Sequence, residues 1–243
     1  MFFASGALLA DDWQADNFRK WLDGWQVSVG VHMSKFKGSA PGLSESRFSE
    51  SSNFSKNNTL FSLAISKEIM KSDSGDLLLE LSLINSEQYK ESGDGYDNTV
   101  CYGYSICYTE TYEEKLEFTR KPAFFASLYY QFNTPVVGLK PYVGAGLGTA
   151  SLERKYTETY TFCVDYNVFD SNYCDEESES NSDIASKTVI AYQLALGANY
   201  FFNKNIAAGL GYAYRNYGSL KDKDLGSIKM DSSGLFASAT YKF

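Results

Sequence analysis

Residue types able to do chemistry are scarce in this chain. His32 is its one imidazole, and Cys101, Cys107, Cys163 and Cys174 are its four thiols. His32 with Ser34 and Glu80 would supply a base, a hydroxyl and an acid, the types a nucleophilic or acid–base site uses. No motif around His32 supports such a site, so a packed, hydrogen-bonded histidine is the preferred reading. Gly144, Gly146 and Gly148 resemble a phosphate loop only superficially. They alternate at a period of two with no helix after them, whereas a nucleotide site needs a strand–loop–helix context. Glycines so placed make room for bulky neighbours, here Phe125 and Tyr129. The thiols lack Cys-x-x-Cys spacing and have one histidine to join them, which argues against zinc. The acidic run from Asp175 to Asp183 could bind divalent cations or a basic host surface, but it lacks the spacing and central glycine of a calcium loop, and a solvated loop is the preferred reading. No cofactor and no metal are expected.

The elements that would position these residues are strands. The chain has 243 residues, 16% of them aromatic, with 19 Tyr and 17 Phe, yet its mean hydropathy is only −0.31. The net charge of −8 and the absence of a basic stripe argue against nucleic acid. No apolar run is long enough for a transmembrane helix. Alternation at a period of two marks strands over about 24–36, 58–68, 76–90, 114–133, 139–155, 185–202 and 205–218, and a terminal strand up to Phe243. Long polar connections, 37–57, 91–113, 156–184 and 219–231, alternate with short turns at 69–75, 134–138 and 203–204. Strict long–short alternation is the topology of an outer-membrane barrel, with the short turns in the periplasm. Trp25, Tyr130, Phe132, Tyr200, Phe202, Tyr241 and Phe243 gather at the short-turn ends as one aromatic belt, and Phe61, Phe118, Tyr212 and Tyr214 are candidates for the other.

Three segments carry a family resemblance: Pro141-Tyr-Val-Gly-Ala-Gly-Leu-Gly148, the pair Tyr192–Tyr200 and Ile206–Tyr217, and the terminal Phe243. Over residues 24–243 the chain resembles the small outer-membrane barrels that include the opacity proteins and the OmpA transmembrane domain. The resemblance implies an all-β, eight-stranded, antiparallel up-and-down transmembrane barrel in a bacterial outer membrane. It implies that Tyr241 and Phe243 act as an assembly signal for the barrel assembly machinery. It also implies a monomer embedded in outer-membrane lipids and ending without a peptidoglycan-binding domain. Residues 1–10 resemble the tail of a signal peptide, and 11–23 form a periplasmic segment with the spacing of a short amphipathic helix.

Inside so narrow a barrel, side chains fill the interior, and a buried charge needs a partner. Glu80 and Arg215 face inward by parity and are expected to form a polar lumen network with His32 and Lys242. The four cysteines fall in two connections, and four cysteines allow three pairings. Local pairing of Cys101 with Cys107 and of Cys163 with Cys174 costs least in loop closure; pairing between loops stays open. The expected function is non-enzymatic: a barrel anchor displaying disulfide-stiffened loops for adhesion, host interaction or envelope integrity. The alternatives are a small porin or channel, a lipid-modifying enzyme depending on His32, and a soluble lipocalin-like binder.

Overall fold

Alternating, aromatic-rich sequence of this kind prefers pleated, half-buried strands. The computed structural model describes residues 23–41, 53–93, 96–102, 106–166, 174–223 and 225–243. The apolar start at 1–10 and all but the last residue of the helix expected over 12–23 lie outside the described residues. The strands are β1 (Trp25–Ser39), β2 (Asn53–Lys71), β3 (Gly75–Ile84), β4 (Glu87–Ser92), β5 (Tyr96–Tyr102), β6 (Ile106–Arg120), β7 (Ala123–Phe132), β8 (Leu139–Tyr166), β9 (Cys174–Phe201), β10 (Ile206–Asp222) and β11 (Gly226–Lys242).

Eight of them close an antiparallel ring in the order β1, β2, β3, β7, β8, β9, β10, β11, and β11 pairs back onto β1 from Gln26↔Lys242 upward. The eight-stranded barrel expected from the alternation is therefore present. Outward positions form an apolar band that includes Val29, Val31, Met33, Leu63, Leu81, Leu128, Leu147, Leu196 and Leu210, with Leu210 71% exposed. Apolar side chains that exposed on a full circumference are suited to lipid. At the short-turn end three edge-to-face pairs repeat around the rim: Tyr130–Phe132, Tyr200–Phe202 and Tyr241–Phe243, with ring centroids 4.9, 5.2 and 5.1 Å apart. Inside, the alternate glycines of β8 act as expected. A Cβ on Gly144 would stand 2.2 Å from the Tyr129 ring, and one on Gly148 would stand 2.6 Å from the Phe125 ring.

The long connections differ from the expectation. Most of 91–113, 156–184 and 219–231, and both ends of 37–57, are strand. Two predicted strands are each broken: 76–90 at Asn85–Ser86, between β3 and β4, and 114–133 at Lys121–Pro122, between β6 and β7. Each break reverses the inward parity. Even positions face inward in β6 and odd ones in β7. Phe118 is consequently buried and not part of an outer belt; Phe61 and Phe124 are outward and exposed instead.

At the level of the breaks the ring splits. Pairing of β2 with β3 stops at Ser62↔Ile84, and Asn85 then caps the seam by accepting from Phe61 N through Oδ1 and donating its own N to Phe61 O. Pairing of β9 with β10 stops at Asn216↔Tyr192. Just beyond lies a bulge between Asn216 and Ser219, with Gly218 at a φ of +72° and its N bonded to Asn216 Oδ1. Glycine tolerates that left-handed turn, and bulges bend a strand off its neighbour. Above the seams a tall sheet (β4 and β5, β6, β8, β9) faces a shorter one (β10, β11, β1, β2). An apolar core fills the space between them, including Phe36, Leu60, Leu116, Leu152, Tyr217 and Met230. Phe54 of β2 lies flat on Phe118 of β6 at 4.5 Å and on Tyr89 of β4 at 4.7 Å. Gly38 opposite leaves the room, since a Cβ there would be 2.0 Å from the Phe54 ring.

Truncating Phe54 to Ala should cost about 3–5 kcal/mol. Amide hydrogen exchange in micelles should show β2 losing protection above Leu60 while Phe61–Lys67 keep theirs. Uniform loss along β2 would contradict a split structure.

Candidate functional site

Three groups of polar side chains stand out, stacked from the short-turn end upward. The lowest lies in the lumen at the depth of the apolar band. His32 is buried; its Nε2 is 2.8 Å from Ser62 Oγ and its Nδ1 is 3.2 Å from Arg215 Nη2. A guanidinium can only donate, so Nδ1 accepts and Nε2 carries the proton that Ser62 receives. Arg215 Nε donates to Gln193 Oε1 at 3.3 Å, and Gln193 Nε2 to Ser127 Oγ at 2.6 Å. Glu80 lines the same cavity, which measures about 90 Å³, and its hydrogen-bonding neighbours are Ser82 and Tyr129. No ion pair joins Glu80 to Arg215 among the described residues. Lys242 does not enter this network: its Nζ pairs with Glu68 at 2.9 Å, at the rim, where Lys140 also pairs with Asp76. Glu68 lies one turn of the pleat closer to the rim than Ser66, the residue opposite Glu80, and meets the lysine first. Ser34 Oγ donates to Glu87 Oε1 at 2.8 Å, so His32, Ser34 and Glu80 do not form a relay.

The second group sits at the strand breaks, inside the apolar core. Glu87 and Arg120 face each other across β4 and β6, both fully buried, with Nη2 3.1 Å from Oε2. Arg120 Nη1 also donates to the carbonyls of Ile84 and Lys121, at either side of the two breaks. Its guanidinium lies 4.9 Å from the Tyr217 ring, and Tyr217 OH reaches Glu87 at 3.3 Å and Ser232 at 3.1 Å. The sequence reading missed this pair. An Arg and a Glu flanking two unpatterned dipeptides, Asn85-Ser86 and Lys121-Pro122, were the available signal. The upper lumen is thus apolar around one ion pair, where a polar filling was expected throughout.

The third group is the part of the tall sheet that rises past the shorter one. Arg154 marks the boundary, paired with Asp222 of β10 at 2.6 Å and with Asp183 of β9 at 2.8 Å. Beyond it β8 continues to Tyr166, or roughly 40 Å of strand at about 3.3 Å per residue. The acidic run expected as a loop is the strand β9 itself. Inward positions form rows across the sheet: Asn98, Glu110, Phe162 and Glu177; then Tyr112, Tyr160 and Glu179; then Glu114, Glu158 and Asn181. Glu114 accepts from Tyr112 OH at 2.9 Å, and the single proton of Tyr156 OH is shared between Glu158 at 2.6 Å and Glu114 at 3.0 Å. Burial, then the bond to Glu158, pushes the Tyr156 phenol well above its ordinary range, so it remains a donor. Outward positions are mostly hydroxyls: Thr109, Thr111, Thr157, Thr159, Thr161, Ser178 and Ser180. Cys101 stands directly opposite Cys107, and Cys163 lies one diagonal step from Cys174, whose partner is Asp165. Cys101 and Cys163 are not free thiols.

Removing one partner of a buried ion pair strands the other charge. Replacing Arg120 with Met should lower stability by about 3–5 kcal/mol, and adding Glu87→Leu should restore most of that. Urea unfolding of the micelle-folded protein reads both; a stable single variant would contradict the arrangement.

The outer membrane protein beta-barrel domain family matches residues 2–243. Solved structures similar to the chain include Neisserial surface protein A, at 19% identity over 91% of this chain and 98% of that one, with a TM-score of 0.43. The attachment invasion locus protein Ail of Yersinia pestis aligns at 14% identity over 90% of this chain and 99% of its own, with a TM-score of 0.35. OprG of Pseudomonas aeruginosa aligns at 13% over 91% and 96%, with a TM-score of 0.36. No curated protein matches significantly. A closed, lipid-faced ring of eight strands and a family match along its length lead to one conclusion: the chain belongs to the outer membrane protein β-barrel domain family and resides in the bacterial outer membrane.

Proposed function

We propose that this protein is a non-enzymatic surface anchor whose working part is the tall sheet, held outside the cell for adhesion, host contact or envelope integrity. Short turns face the periplasm in such barrels and longer segments face outward, which puts β5 and the upper halves of β6, β8 and β9 outside. The observation that carries the proposal is that this sheet continues well past the shorter one while the lumen beneath it is filled. Phe36, Phe54, Leu116, Phe118 and Met230, each nearly or fully buried, occupy the upper lumen. A scaffold of this kind holds a recognition surface rigidly, and binding residues concentrate on such projections. Disulfides Cys101–Cys107 and Cys163–Cys174 would stiffen its tip, and Tyr241 with Phe243 would present the chain to the assembly machinery. The protein works as a monomer among outer-membrane lipids.

A channel is the second reading, favoured by the polar cavity around His32 and Arg215. Planar-bilayer recording separates the two. The refolded protein should show no steady conductance, and reproducible channels would overturn the anchor reading. Peptide mapping without reductant should recover the two local disulfides; a peptide linking Cys101 or Cys107 to Cys163 or Cys174 would reject them.

A further inference from the structure

The two faces of the tall sheet treat their glutamates differently. On the outward face three of them have a lysine, Glu113 with Lys115 at 3.1 Å, Glu117 with Lys90 at 2.7 Å, and Glu153 with Lys121 at 2.6 Å, while the outward Asp97 has no ion pair among the described residues. On the inward face, beyond Arg154, Glu110, Glu177 and Glu179 have no ion pair and no hydrogen bond among the described residues. Glu114 and Glu158 are satisfied by tyrosine hydroxyls and meet no cation. The same face holds aromatic rings. Tyr108 and Phe162 lie with centroids 5.8 Å apart, and with Glu110, Asn98 and Val100 they line a depression of about 430 Å³. Tyr160, 40% exposed, lies in the next row beside Glu179.

Aromatic faces attract cations through their negative π clouds, and a carboxylate at the rim adds charge-assisted hydrogen bonds. Arginine meets both demands at once, since its guanidinium stacks on rings and forks onto carboxylates. We propose that the inward face of the projecting sheet docks a cationic polypeptide segment, with an arginine or lysine seated between Tyr108, Phe162 and Glu110 and further basic residues over Glu177 and Glu179. This proposal rests on the anchor reading and specifies the chemistry of the partner. The net charge of −8 steers such a partner toward the protein from a distance. Three outward glutamates are neutralised by lysines and the inward ones are not, and the aromatic depression lies on the inward face; together these select it.

The test is made on the full chain folded in zwitterionic lipid nanodiscs, with a fluorescent polyarginine peptide as the probe at roughly 0.15 M salt. One variant combines Glu110→Gln, Glu177→Gln and Glu179→Gln. Its control combines Glu113→Gln, Glu117→Gln and Glu153→Gln, which changes net charge equally on the opposite face. Affinity should fall about tenfold or more in the first and less than about threefold in the second. Phe162→Ser should weaken binding further at high salt, where the charge contribution is screened. Equal losses in both triple variants, no binding by the parent protein, or tighter binding of a neutral oligosaccharide or a polyglutamate peptide would each overturn the proposal. Whether the anchor reading itself survives is read separately from bilayer conductance, so a silent barrel that ignores polyarginine refutes only the cationic partner.

Discussion

Hydrocarbon offers no hydrogen bonds, and the architecture follows from that. Every backbone N–H and C=O at membrane depth must be paired within the protein, so a sheet placed there must close on itself. Eight strands do so, and the closure of β1 on β11 is continuous from Gln26 to Ser39. Once the strands pass the apolar band, water can satisfy the backbone and closure is no longer required. Both seams open at that height. One is capped by Asn85 and the other is turned aside by the bulge at Gly218. The ring of eight strands in lipid therefore continues as two facing sheets in water, with β4 and β6 resuming where β3 and β7 leave off.

What replaces backbone pairing above the band is side-chain packing. The stack of Phe54 on Phe118 and Tyr89 bridges one seam, and Arg154 with its two aspartates bridges the other. Between them the Glu87–Arg120 pair holds both strand breaks at a common point, through the Ile84 and Lys121 carbonyls. A buried ion pair is a weak source of net stability. Its value here is geometric: it sets the position from which β4 and β6 resume, and so the parity of everything above.

That parity explains which features were legible in the sequence. Within the band, apolar and small or polar residues alternate, as in Tyr192–Tyr200, and every ring strand was legible there. Above the band the alternation is between threonine on one face and tyrosine or glutamate on the other, as in Tyr156-Thr-Glu-Thr-Tyr160. Both faces are then polar by hydropathy, and only the strand preference of Tyr and Thr hinted at structure. The extensions were consequently read as loops. Phe118 was placed on the wrong side because one uninterrupted strand was assumed across Lys121-Pro122, and a single extra residue exchanges the faces. In the lumen, parity faces His32, Glu80 and Arg215 inward, and all three line one cavity. It could not reveal that arginine would choose His32 and Gln193 over glutamate, a choice made by residues from different strands.

The β1–β11 seam has a further consequence for how the chain reaches this state. Ser28 and Thr240, whose hydroxyls meet across it, are 212 residues apart, whereas β8 and β9 are joined by a single hairpin. Loop-closure entropy makes the hairpins early and this seam late. Until it closes, the nascent sheet has two ends carrying rows of unpaired backbone groups at membrane depth. Such ends are templates for any other strand. The seam between the chain's first and last strands is thus the one whose edges stay open longest, and closing it is what makes the ring compatible with lipid.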